Sequence, residues 1–144
     1  MLVSAIAAIG QRGQIGRNGV LPWHCRDDMI DFRNRTEGCA MLAGSATMRS
    51  LPQSFFDSLP KTNRTLYEWR PAFGNSDDAI KHLRAMSIRH VWIIGGAYTY
   101  LHFYKHINHL TCINRVSYDN DPAEDNLHTF FPCATFGIEC IASS

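Results

Sequence analysis

Three apolar runs each stop at glycine where a helix can open, and this punctuation limits what the chain can become. LVSAIAAI at 2–9 ends at Gly10, CAMLA at 39–43 ends at Gly44 before SATMRSL, and HVWII at 90–94 ends at Gly95-Gly96 before AYTYLHFYKH. None alternates polar with apolar residues and none is long enough for an ordinary helix, so each reads as a strand buried on both faces. Such strands need helices on either side. Residues 26–35 supply one, and Ser76 followed by DDAIKHLRAM supplies another, with a capping hydroxyl, early acids and an apolar stripe of Ala79, Ile80 and Leu83. RTLYEW at 64–69 adds a strand, as do segments at 110–117 and 135–141, while PQSFFDSLPKTN at 52–63 carries two prolines and reads as a surface loop. The prediction is one α/β domain over residues 1–144, with a mostly parallel central sheet covered by helices on both faces.

Composition narrows the function. Lys+Arg at 14 nearly balance Asp+Glu at 13 and no basic stripe is present, which argues against a nucleic-acid partner. The first residues lack a leading positive region, and their apolar run breaks at Gly10 and Gln11, too soon for a membrane span or signal core. A cytoplasmic protein is the expectation. Cys25, Cys39, Cys112, Cys133 and Cys140 form no C-x-x-C pair, so reduced, mostly buried thiols are expected. His102, His106 and His109 have no neighbouring acid or cysteine to complete a metal site, and no metal is predicted.

Chemistry is expected at the carboxyl ends of the strands, where helix N-termini and glycine backbone favour a phosphate. VWIIGGAYTY is the best such cradle, although Gly-Gly can equally serve tight packing. A second candidate is the pair Asp27 and Asp28 in NGVLPWHCRDDMIDF. At about 100° per residue, Asp27 and Asp31 fall on one side, while Asp28 lies at the edge of the face made by Met29 and Phe32. Asp27 is assigned to solvent. Asp28, turned inward among Met29, Phe32 and Trp23, is partly stripped of water, which suits it to hold or relay a proton; the alternative is that it only caps the helix.

Taken together, IAAIGQRGQIGRNGVLPWHCRDDMIDFRNRT, LAGSATMRSL, VWIIGGAYTY and INRVSYDND followed by HTFFP resemble the dihydrofolate reductase family, in its order and approximate spacing. The resemblance implies a nicotinamide-dependent reductase of dihydrofolate, inhibited by antifolates, monomeric or weakly dimeric, with Asp28 assisting protonation of the pterin ring. It implies a pterin pocket of Ile6, Ala7, Met29, Phe32, Leu51 and Ile94, with Asn114 standing near the acid where the family uses a threonine to support it, so that a different hydrogen-bond partner for Asp28 is expected. Trp23 and Leu21 would complete the catalytic set, Trp23 by holding a water. The loop from Gly13 to Leu21, including Ile15, Gly16 and Asn18, would close over the nicotinamide next to Ala8. Gly44, Ser45, Thr47, Gly95, Gly96, Ala97, Tyr98, Thr99 and Tyr100 would hold the rest of the cofactor.

The chain departs from that pattern in places. Ser45 and Ala46 stand where the family usually carries a phosphate-pairing base, and Glu68 stands where a small hydroxyl residue meets the 2′-phosphate of NADPH. An acid there suits the free ribose hydroxyl of NADH, so the cofactor is NADPH or NADH, with NADH favoured. Thr62 replaces the arginine that clamps the folate carboxylate; Arg64, two residues on in an extended strand, is expected to compensate. Without the arginine clamp, another pterin or pyrimidine is a possible substrate, and the altered cofactor end admits a non-catalytic binding or assembly protein of the same fold. The C-terminal hairpin is expected to be shortened, TFGIECIA providing one strand.

Overall fold

A computed structural model describes residues 1–139. Five strands, β1 (Leu2–Ile9), β3 (Ala40–Gly44), β4 (Thr65–Trp69), β5 (His90–Gly95) and β6 (Thr111–Arg115), form one sheet in the order β4-β3-β5-β1-β6. Every neighbouring pair in it is parallel. A separate antiparallel pair joins β2 (Gln14–Arg17) to β7 (His128–Phe130). Helices α1 (Arg26–Thr36), α2 (Ser45–Ser50), α3 (Gln53–Ser58), α4 (Ser76–Ala85), α5 (Ala97–Phe103) and α6 (Cys133–Phe136) fill the connections.

Register sorts the apolar residues into two layers, because alternate side chains of a strand face opposite ways. Ser4 pairs with Trp92, Met41 with Trp92 and Ile6 with Cys112. Ile6, Met41 and Trp92 therefore share a layer, closed by Phe32 of α1 and Phe55 of α3. Val3, Ala5, Ala7, Leu42, Val91 and Ile93 look the other way and pack with Ile80 and Leu83 of α4 and Tyr100 and Phe103 of α5. Continuous apolar runs are what a sheet covered on both faces demands, and the α/β expectation holds.

Several boundaries differ from the sequence reading. Residues 53–58 form α3 and 60–62 a single 3-10 turn, where a loop was expected; Pro52 caps the helix and Pro60 is the first residue of the turn, positions where the missing N–H of proline costs no helical bond. The cap of α4 is Asn75, whose side chain accepts from the Asp78 backbone while Asp78 bonds back to the Asn75 N–H; Ser76 is the first helical residue. The expected strand at 135–141 is replaced, over its described part, by the end of α6 and left-handed Gly137; residues 140 and 141, and with them the rest of the expected hairpin strand, lie outside the described residues. The thiols are not uniformly reduced and buried: Cys25, Cys39 and Cys112 are free but only half-buried, and Cys133 is disulfide-bonded. Among the described residues no helix is long and apolar enough to cross a membrane.

Candidate active site

The carboxyl ends of β3 and β5 lie side by side and their glycines are packed, not merely permissive. A Cβ on Gly44 would sit 2.4 Å from the Thr99 hydroxyl, closer than real side chains approach, so the start of α2 meets the start of α5 with no side chain between. Gly95 has φ +126°, and a Cβ on it would lie 3.3 Å from the Thr47 hydroxyl; one on Gly96 would lie 3.5 Å from the same atom. The Gly95-Gly96 peptide is cis. Thr47 and Thr99 thus border a bare backbone surface, with Ala97 half-buried beside it. Backbone free of side chains, flanked by two hydroxyls at strand ends, fits a phosphate-bearing dinucleotide.

Tyr98 and Tyr100 part company at this junction. The Tyr100 hydroxyl donates to the Ile6 carbonyl at 2.6 Å and the ring is 3% exposed, so the phenol ties α5 to β1. Its ionisation is pushed far upward, first by burial and then by the charge of Asp28. Tyr98 is exposed, stacked on Trp69 at 6.0 Å and against His102 at 4.0 Å.

On α1, Asp28 is half-buried and Asp27 exposed, as helical phase requires. The Asn114 amide nitrogen, projected from β6, donates to Asp28 Oδ1 at 3.0 Å and to Asp31 Oδ2 at 2.8 Å. Asp31 therefore does not share the solvent face of Asp27; it turns to β6 and is also bound by Arg35 at 2.9 Å. Ile6, Ile94 and Phe32 gather in the smaller apolar layer beneath the acid. Ala7 does not join them: its side chain belongs to the opposite layer, because it is the next residue along the strand, so only its backbone is available on the Ile6 side. Met29 is 53% exposed and Leu51 half-buried at the end of α2.

Arg64 is 5% exposed and lies before β4, not inside an extended strand. A left-handed Asn63, φ 54°, turns the chain, and the guanidinium reaches back to Thr62 Oγ1 at 2.6 Å, Thr36 Oγ1 at 3.2 Å and Ser58 Oγ at 2.9 Å. Its five N–H donors in a planar fork exceed the three bonds made here. Burial lowers its affinity for its proton, with Arg33 adding to the effect. At the edge strand, Glu68 Oε2 accepts from the Ser45 hydroxyl at 2.9 Å and faces Arg70 at 3.8 Å. A cavity of about 470 Å³ opens next to Glu68 between β4 and α4, lined by Tyr67, Trp69, Phe73 and His82.

The glycine-rich segment after β1 is anchored by a polar clasp. Arg12 bonds Asp119 at 2.9 Å and Asp125 at 2.7 Å, and fully buried Gln14 donates to Asp119 and Asn120. Gly16 pairs with Thr129, whereas Asn18, Val20 and Leu21 are exposed at the tip. Ile15 packs toward the larger apolar layer, and Trp23 rests on Tyr118 at 5.3 Å. Ala8 is half-buried opposite Asn114. The clasp, Tyr118 and Asp31 escape a reading by local pattern, since each acts across the chain. The three histidines diverge: His102 packs on Trp69, His106 meets Asp77 at 3.0 Å and His109 meets the ring of His90.

A half-buried acid on α1, with bare glycine backbone at the strand ends of a parallel sheet, places the candidate site of this α/β protein where ligands of such sheets bind. Comparison with known proteins gives the family. The dihydrofolate reductase family profile matches residues 2–135, and the chain belongs to that family. It is 31% identical over 125 residues to a dihydromethanopterin reductase of Methylorubrum extorquens, the match covering 83% of this chain and 85% of that protein. It is 26% identical over 110 residues to dihydrofolate reductase HdrB of Haloferax volcanii, covering 68% of this chain and 57% of that protein. With a Mycobacterium tuberculosis dihydrofolate reductase it shares 29% over 100 residues, 69% of this chain and 62% of the relative.

Proposed function

We propose that the protein reduces a 7,8-dihydropterin, dihydrofolate first among them, with Asp28 assisting the proton. The observation that carries this reading is Asp28 itself, half-buried at the edge of the Ile6, Phe32 and Ile94 floor and held by Asn114. Reducing the ring C=N bond takes one hydride on carbon and one proton on nitrogen. A bound nicotinamide supplies the hydride. The protein's part would be to hold the pterin flat on Ile6 and Ile94 and to offer it a half-buried acid. Trp23 would hold a water beside the pterin and Leu21 would shield it; Met29, Phe32 and Leu51 would close on its sides.

Gly44, Thr47, Gly95, Gly96, Ala97 and Thr99 would hold the pyrophosphate, with Tyr98 and Tyr100 flanking it. Ile15, Gly16 and Asn18 would cover the nicotinamide next to Ala8. Glu68, which accepts from the Ser45 hydroxyl, would set an acid, not a base, at the adenosine ribose, which supports NADH. The test is loss of nicotinamide absorbance with dihydrofolate and with NADH and NADPH in separate reactions. Equal or faster turnover with NADPH refutes the cofactor reading, and no turnover in which Asp28→Asn differs from Asp27→Asn refutes the acid.

A second reading concerns the substrate tail. Thr62 lies under the hydroxyl cluster that engages Arg64, and a relative reduces dihydromethanopterin. A tail other than the glutamate of folate is favoured if Arg64 is not free to clamp a carboxylate. Comparing dihydrofolate with a tailless dihydropterin decides it: a lower KM for dihydrofolate, lost in Arg64→Ala, assigns the clamp to Arg64.

A further inference from the structure

The geometry points to Asp31 as a positioning residue that works on Asp28 through the amide of Asn114. This rests on the reading of Asp28 as the acid of the site. An amide nitrogen carries two hydrogens, and here each has its own carboxylate: Asp28 Oδ1 at 3.0 Å and Asp31 Oδ2 at 2.8 Å. With both hydrogens committed, the amide cannot present its oxygen to Asp28 by rotating. The bond to Asp31 is the shorter one, and Asp31 is itself fixed by Arg35, whose Nε reaches its two oxygens at 3.1 and 2.9 Å. Arg35 is steadied in turn by a contact from its Nη1 to Cys112 Sγ at 3.5 Å. Strand β6 therefore carries both ends of the arrangement, Cys112 and Asn114 two residues apart on one face, and α1 carries Asp28, Asp31 and Arg35 at helical spacing.

The alternative role for Asp31 is purely electrostatic, a negative charge near Asp28. The two roles predict opposite signs. Titratable and charged groups around Asp28 are Asp31 and Arg35 on its own helix, Cys112 on β6 through Arg35, and the Tyr100 phenol on α5, which senses the Asp28 charge; Asp27 is turned to solvent. Removing Asp31 frees the amide. If Asp31 positions it, Asp28 loses an oriented donor to its charged form and its titration moves up. If Asp31 acts only by charge, the loss of a like charge moves the titration down.

The experiment follows the Asp28 carboxyl carbon by ¹³C NMR across pH in the full, ligand-free chain, assigned by its disappearance in Asp28→Asn. Asp31→Ala is expected to raise the midpoint by about half a unit to one unit, as the loss of one oriented donor implies, whereas the isosteric Asp31→Asn keeps an acceptor oxygen for the amide and is expected to produce no rise. In an Asn114→Ala background Asp31→Ala is expected to produce no further rise. A midpoint that falls or stays put in Asp31→Ala, a rise of the same size in Asp31→Asn, or a rise that persists without Asn114, overturns the assignment. This readout does not depend on turnover. Absence of pterin reduction by the parent chain would count against the proposed function alone, while in an active parent the pH profile of kcat/KM should follow the NMR midpoint with the dinucleotide KM unchanged.

Discussion

Gly44→Ala tests the junction on which the cofactor reading stands. The added methyl carbon would lie 2.4 Å from the Thr99 hydroxyl, with the Gly95 carbonyl at 3.6 Å and the Gly96 nitrogen at 3.7 Å. Only the first contact is a clash. Thr99 is 2% exposed and β-branched within a helix, where its side chain has few rotamers to escape to, so part of the strain passes into the α5 backbone. Overpacking of this kind costs about 1–3 kcal/mol, and with an unfolding entropy of about 2 cal/mol/K per residue each kcal/mol lowers Tm by roughly 3 °C in a chain of this size. Urea unfolding should show a lower midpoint at unchanged slope, and Tm should fall by about 3 to 9 °C. Thr99→Ala removes the atom that is hit, so the double variant should be less destabilised than the sum of the two single changes, by at least about 1 kcal/mol. A Gly44→Ala chain as stable as the parent, or strictly additive effects, would show that the two helix starts are not in contact and would remove the packed cradle from the argument.

Other outcomes follow from the rims of the groove and from its supports. Glu68→Ser should shift the ratio of kcat/KM toward NADPH by about 10-fold to 100-fold, the range expected when a charge-assisted contact is exchanged; steady-state kinetics with both cofactors checks it. Arg64→Ala should raise the KM for dihydrofolate several-fold while leaving that for a tailless dihydropterin unchanged, and equal effects on both would assign Arg64 to structure alone. Burial first, and the neighbouring His109 second, hold the His90 imidazole below its ordinary range of 6.5. The unfolded chain therefore takes up the proton first as pH falls, so His90 contributes stability above pH about 6.5 that is lost toward its lower folded value. His90→Gln should flatten the fall in urea midpoint between about pH 7 and pH 5.

The middle of the sheet was legible because β1, β3 and β5 announce themselves twice, by continuous apolar residues and by the glycine that ends each run. Asp28 was legible for a related reason: a helix has one phase, and Phe32 fixes it. The same rule misplaced Asp31, because phase says which way a side chain leaves the helix and not what awaits it, and Asn114 sits 83 residues further on. Strand β2 was hidden inside a glycine-rich stretch; its pairing with β7 comes from a partner more than a hundred residues away. Arg64 was expected on an extended strand but lies before it, reaching its buried place by a left-handed turn at Asn63, for which no glycine gave warning.

Three departures from the family pattern lie close together. Glu68 lies on β4 and Thr62 shortly before it, and among the described residues β4 is an edge strand paired only with β3; Ser45 begins the helix that follows β3, whereas Asn114 lies apart on β6. Ile6, Ile94, Gly95 and Gly44 belong to β1, β5 and β3, each paired on both sides and covered on both faces. A change of side chain on the inner strands alters the core and both neighbours at once, whereas one on β4 is felt on one side and at its exposed rim. On the proposed function, the chemistry of pterin reduction would rest on the inner strands and α1, and recognition of the substrate tail and the cofactor ribose on the edge. Such a division would let tail and ribose contacts change without disturbing the acid. It also implies that exchanging residues 62–70 with those of a relative of different preference should move KM values for both ligands more than kcat.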